Sequence, residues 1–180
     1  MTTALVLIDL QNEYFSDDEL ARCREDLLKH SNELVERARA AGAPVVEVRT
    51  VHAPDRSTWT QNMLEDDQGL AIEGTDGAMR LDGLREPDHV VVKIRDSAFF
   101  GTDLDLWLAD RDVDRLVLAG VSTESCIAAT ATDAYARDLP VVLVEDATAS
   151  IDWTLHDQTL ERLHEQYRQD VVSTADVTFD

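Results

Sequence analysis

Five uninterrupted apolar residues, Ala4-Leu5-Val6-Leu7-Ile8, stop at Asp9. An unbroken run of that length is the mark of a strand covered on both faces, as in a parallel sheet. The period then changes. Asp17 and Asp18 supply anionic N-terminal caps, and Leu20, Leu27, Leu34, Val35 and Ala38 keep one helical face until Gly42 closes it ahead of Pro44. Further apolar runs predict strands at residues 45–48, 90–94, 116–119 and 141–144, with a brief edge strand at 171–172. Between them the pattern predicts a short helix at 104–110, an alanine-rich one at 122–138 and a long one at 155–167. Strands alternating with helices predict a doubly wound α/β fold, three layers with a parallel sheet in the middle. No repeat or low-complexity linker interrupts the pattern, so residues 1–180 read as a single domain. Residues 52–87 show little periodicity and contain Trp59. A stretch of that length in a compact domain is expected to form a pocket wall or an oligomer contact.

Charge narrows the partners. Thirty-seven acidic residues against 16 basic ones give a formal charge of −21, a field that repels phosphate backbones and anionic headgroups, so neither nucleic acid nor a membrane surface is expected as a partner. Lysine is nearly absent (Lys29 and Lys93 only) and Asp outnumbers Glu by 24 to 13. Such a surface suggests a halophilic, acidic proteome, adapted to molar salt that screens self-repulsion. A GC-rich genome accounts for the arginines but not for the Asp excess. If the salt reading holds, thermal unfolding in about 2 M KCl occurs many degrees above that in about 0.1 M; an unchanged melting point leaves the codon explanation in place. With two cysteines, Cys23 and Cys126, and no basic segment before the first apolar run, the chain reads as reduced and cytoplasmic.

In doubly wound sheets ligands bind beyond the carboxyl ends of the strands. Asp9 stands at one such end, where it either caps a loop or serves chemistry. Lys93 interrupts Val90-Val91-Val92-Lys93-Ile94; buried there it needs a partner anion, and on an edge strand it would snorkel to water. Cys126 follows Gly120-Val121-Ser122-Thr123-Glu124-Ser125, a glycine turn and a helix start capped by Ser122 or Thr123, which places the thiol where free N–H groups favour thiolate. Alone, such a cysteine is more often a small core residue than a nucleophile, and Cys23, mid-helix, is read as one. Together an acid, a cation and a thiol supply what covalent hydrolysis requires. Among the histidines, His52 and His156 are expected nearest a pocket.

Three segments carry a family resemblance. Leu7-Ile8-Asp9-Leu10-Gln11-Asn12-Glu13-Tyr14-Phe15, then Lys93-Ile94-Arg95-Asp96-Ser97-Ala98-Phe99-Phe100-Gly101-Thr102-Asp103-Leu104, then Gly120 through Ala134 around Cys126 resemble the first-strand, lysine and nucleophile motifs of the isochorismatase-like cysteine hydrolases. That group contains nicotinamidases, N-carbamoylsarcosine amidases, and ureidoacrylate and biuret hydrolases. The likeness runs from about residue 4 to 174, with Glu13 in place of the usual Asp. It implies a six-stranded sheet of order 3-2-1-4-5-6 and a triad of Asp9, Lys93 and Cys126. It also implies a cis peptide at Val121-Ser122, with the Ser122 and Cys126 N–H groups forming the oxyanion hole. A small amide or ureido compound is the implied substrate, and a dimer or tetramer the expected assembly. Gln11, Tyr14, Phe15, His52, Trp59, Phe99 and Phe100 are the candidates for the substrate pocket.

One departure bears on cofactors. The Asp-x-His pair and second His that hold the metal of nicotinamidases meet Thr50-Val51-His52-Ala53-Pro54-Asp55-Arg56-Ser57 here. Only His52 fits, so no metal and no other cofactor is expected. The alternatives are an isochorismate-type C–O hydrolase working through Asp9 and Lys93 alone, or a non-catalytic small-molecule binding or oligomerisation module.

Overall fold

The computed structural model describes residues 2–179. Six parallel strands form one sheet in the order β3-β2-β1-β4-β5-β6. They are β1 Thr3–Ile8, β2 Val45–Thr50, β3 His89–Lys93, β4 Arg115–Val121, β5 Val141–Ala149 and β6 Asp170–Val172. The helices are α1 Asp18–Ala41, α2 Gln61–Asp66, α3 Leu104–Ala109, α4 Ala128–Tyr135 and α5 Trp153–Tyr167. Alternation along the central strands divides the core in two. Leu5, Leu7, Val45, Val117 and Ala119 face Leu27, Leu34, Val35 and Ala38 of α1. Val6, Ile8, Val46, Val48 and Leu118 face Leu104 and Leu108 of α3, Ala131 and Ala134 of α4, and Leu160 and Leu163 of α5. This is the three-layer α/β/α arrangement and strand order that the pattern and the resemblance predict.

The ends of α1 are set by local chemistry. Asp17 accepts the N–H of Glu19 at its start, and Gly42, at φ +75°, returns its N–H to Ala38 and Arg39 at its end. A second glycine positions the site. Gly120 pairs with Ile8 in the β1–β4 register and adopts φ +123°, and a Cβ on it would stand 2.0 Å from the carbonyl oxygen of Ile8. Only hydrogen fits there, so the end of β4 closes directly onto the end of β1, beside Asp9.

Two elements differ from the sequence pattern. β5 continues to Ala149 instead of stopping at residue 144, because its register against β4 jumps from Leu118↔Leu143 to Gly120↔Thr148. The polar pair Glu145-Asp146 bulges out of the ladder, and the Thr148 hydroxyl, donating to Val144 O at 3.1 Å, closes the bulge. In the irregular stretch, α2 is a helix of six residues whose N-cap Thr60 accepts from Met63 N, too short to impose a visible helical period. The stretch is tied down by isolated bridges, Gln11 to Arg80 and His52 to Ile72. Among the described residues no helix is long and apolar enough to cross a membrane.

Candidate active site

The carboxyl ends of β1, β2 and β3 lie side by side, and each delivers one polar side chain. Asp9 ends β1 at φ +54°, a left-handed conformation costing a non-glycine residue about 1 kcal/mol or more. Its N–H donates to Val48 O at 2.9 Å, and its own carbonyl accepts from Gln11. Thr50 pairs with Lys93 across β2 and β3. Asp9 Oδ1 accepts from Thr50 N at 3.0 Å and from the Thr50 hydroxyl at 2.9 Å. Lys93 Nζ stands 2.9 Å from Asp9 Oδ2 and donates to Thr50 Oγ1 at 2.7 Å and to Cys126 Sγ at 3.3 Å. The lysine is thus not snorkelling: Lys93 is 1% exposed and Asp9 0%. Burial works against the Lys93 charge, but Asp9 and the Cys126 sulfur outweigh it and hold the ammonium above its ordinary lysine value.

Sequence reasoning missed Thr50. Its hydroxyl links the acid to the cation, and its only trace in the sequence, a threonine closing a strand, is too ordinary to point to a site. Gln11 holds it in place: the Gln11 amide donates to Thr50 O at 2.8 Å and to Ala78 O at 2.9 Å, and its oxygen accepts from Thr50 N at 2.9 Å. Gln11 is wholly buried and is not among the residues lining the cavity, because all of this amide is spent on backbone.

Cys126 arrives from the other side of β1. β4 ends in a cis Val121-Ser122 peptide, and Thr123–Ile127 form one π-helical turn leading into α4. The N–H groups of Ser125 and Ile127 both reach Ser122 O at 3.2 Å. Thr123 donates its hydroxyl to Ala149 O at 3.1 Å and accepts from His156 Nδ1 at 2.8 Å, so the extension of β5 and the start of α5 brace the thiol's turn. The favoured-thiolate expectation is corrected by the surroundings: burial and then the charge of Asp9 push the Cys126 thiol well up, against the lowering from Lys93. The resting group is a neutral thiol beside an ion pair.

His156 gives this brace a pH dependence. Burial holds it below the ordinary histidine value of 6.5, against Asp157, Glu124 and Glu145, which raise it. Above 6.5 neither folded nor unfolded chain is protonated there; below it the unfolded chain takes the proton first, so stability falls as pH drops from 6.5 toward the lower native value. Urea midpoints at about pH 7.5 and 5.5 should therefore separate more for the wild type than for His156→Gln. Parallel shifts would refute the assignment.

A cavity of about 560 Å³ opens over the thiol, with Tyr14, Thr50, His52 and Cys126 among its lining and α2 contributing Asn62 and Met63. Burial, followed by the charge of Asp9, pushes the Tyr14 hydroxyl far up despite a bond to Thr50, so it stays protonated. The other aromatic pocket candidates lie elsewhere. Phe15 packs under α1 with Leu20 and Leu27. Phe99 is in the opposite core layer with the Arg137 guanidinium 4.5 Å from its ring centroid. Phe100 is 61% exposed. Trp59 stands one layer behind the wall: its indole donates to Ala53 O at 3.1 Å, and its ring backs Gly69, where a Cβ would come within 2.9 Å of it.

The donors do not suit the metal of nicotinamidases. Thr50 spends its hydroxyl on Asp9 and Lys93, and His52 Nδ1 lies 3.0 Å from Thr58 O. Among the described residues no group of three His, Cys, Asp or Glu side chains is arranged to hold an ion.

Comparison with known proteins shows the family and the fold. The isochorismatase domain family model matches residues 3–176. A protein described as a probable inactive nicotinamidase of Arabidopsis thaliana is 36% identical over 164 residues, covering 86% of this chain and 84% of the relative. The crystal structure of N-carbamoylsarcosine amidase from Thermoplasma acidophilum superposes with a TM-score of 0.83 at 29% identity, covering 98% of this chain and 99% of the other. Nicotinamidase from Bacillus subtilis does so with a TM-score of 0.84 at 27% identity, covering 96% and 100%. The chain belongs to the isochorismatase family of hydrolases.

Proposed function

We propose that this protein is a cysteine amidohydrolase that cleaves a C–N bond of a small amide or ureido compound through a thioester on Cys126. The observation that supports it is the buried cluster of Asp9, Lys93 and Cys126, with Nζ 2.9 Å from the carboxylate and 3.3 Å from the sulfur, at the base of a cavity. As the thiol attacks, Asp9 takes its proton, and Lys93 exchanges one counter-ion, the carboxylate, for another, the thiolate. No net charge is created in the low-dielectric interior, which is why a thiol held neutral at rest can still react. The carbonyl oxygen becomes an oxyanion, received by the Ser122 and Cys126 N–H groups. Asp9 then passes its proton to the departing nitrogen, and ammonia or an amine leaves. In the second half Asp9 takes a proton from water, the hydroxide attacks the thioester, and the acid departs as the proton returns to sulfur.

The test is ammonia release from a panel of small amides and ureides, nicotinamide included, before and after prolonged dialysis against a chelator. Turnover of at least one compound is expected, unchanged by chelation. Activity lost on chelation and restored by zinc, iron or manganese would show that a metal acts. Pyruvate released from isochorismate without any ammonia would favour C–O hydrolysis, and silence in both assays a binding module.

A further inference from the structure

One cavity residue has no part in the chemistry above. His52 leaves the end of β2 two positions after Thr50, and along an extended chain residues two apart point to the same face, about 7 Å from one another. Its backbone is clamped on both sides, with its N–H on Ala71 O at 3.0 Å and its carbonyl accepting from Glu73 at 2.9 Å. The residue is 2% exposed and lines the cavity that holds Cys126. Its Nδ1 lies 3.0 Å from Thr58 O. A carbonyl has no proton to give, so Nδ1 carries the hydrogen, and the second nitrogen, Nε2, is left with a bare lone pair. Burial keeps that nitrogen unprotonated; the Thr58 bond and Asp9 act in the opposite sense, Arg95 and Lys93 in the same one. His52 is therefore a fixed, neutral acceptor on the lining it shares with Cys126. Glu13, Asp66 and Asp96 add carboxylate acceptors to the same lining, beside the donors of Arg95, Asn62 and Gln68.

We propose that His52 selects the substrate: its Nε2 accepts a hydrogen bond from an N–H on the side of the scissile carbonyl away from the leaving nitrogen, a group that ureides have and carboxamides lack, so that ureides are taken in preference to carboxamides of the same shape. This rests on the hydrolase reading for its biological meaning, but its test reads binding and does not need turnover. Propylurea and pentanamide differ only by N–H in place of CH₂ beside the carbonyl. In the Cys126→Ala protein, which cannot consume either compound, NMR titration gives the two dissociation constants directly.

Propylurea is expected to bind more tightly than pentanamide. Adding His52→Phe should cut that preference about tenfold, the effect of one lost hydrogen bond, and His52→Gln, whose Oε1 also accepts, should keep most of it. Thermal melts identify any variant that fails to fold, and His52→Gln then decides alone, by keeping the preference or losing it. Equal affinities in the parent, a preference that survives His52→Phe, or no binding of either compound overturns the proposal. Failure of the hydrolase reading looks different: the wild type releases ammonia from nothing, whatever the affinity ratio.

Discussion

Cys126→Ala loses turnover by about 10,000-fold or more while unfolding at nearly the wild-type denaturant concentration. The loss is large because nucleophile, base and cation act as one unit, so removing the sulfur leaves only binding and oxyanion stabilisation. The fold is spared because Cys126 contributes one small side chain at the border of a core held by many larger ones. Trapping with hydroxylamine during turnover should yield the hydroxamate of the acyl group in the wild type and none in the variant. Alkylation reports the resting state. Burial and the Asp9 charge push the Cys126 thiol up, and burial does the same to Cys23. Labelling of both by iodoacetamide should therefore keep rising through the alkaline range. A Cys126 rate that has already levelled off below about pH 7 would show a resting thiolate and reverse the proton account. Full activity in Cys126→Ala would remove the covalent mechanism altogether.

The inner strands were legible because burial on both faces leaves no alternative to a continuous apolar run, and Thr3–Ile8 is buried at every position, whereas the edge strand β3 keeps its apolar run although Val90 and Val92 are exposed. Asp9, Lys93 and Cys126 stood out because each breaks such a run or follows its glycine turn, where a polar group needs a reason. Thr50 gave no such signal: threonine is an ordinary β residue, and its role depends on which strand lies beside it. The cavity walls were less legible still. Asn62, Met63 and Gln68 come from a stretch whose path is set by single bridges rather than by a periodic face. The aromatic residues misled because adjacency in sequence says nothing of direction. Phe15 follows Tyr14, yet one packs beneath α1 while the other lines the cavity. The resting thiol was hidden for a different reason, since it depends on a sum of burial and two opposed charges that only coordinates supply.

Lys93→Met should lose both activity and stability, and the two losses separate in a double variant. Asp9 is fully buried and its Oδ2 faces Nζ at 2.9 Å; without the ammonium a carboxylate is stranded in a medium that cannot solvate it. Breaking one side of such a pair costs about 3–5 kcal/mol. Asp9→Asn strands the ammonium instead and should cost a similar amount. Asp9→Asn combined with Lys93→Met leaves no buried charge at either position, while the Thr50 N–H and hydroxyl can still donate to the Asn carbonyl oxygen in place of Oδ1. The double variant should therefore be more stable than either single one, which in urea unfolding means a coupling larger than either single loss, above about 3 kcal/mol. Turnover should be lost in all three proteins, because restoring electrostatic balance restores neither the base that takes the thiol proton nor the cation that holds the thiolate. Stability losses that simply add would mean that Asp9 and Lys93 do not depend on one another, and the exchange of counter-ions proposed for the attack would lose its footing.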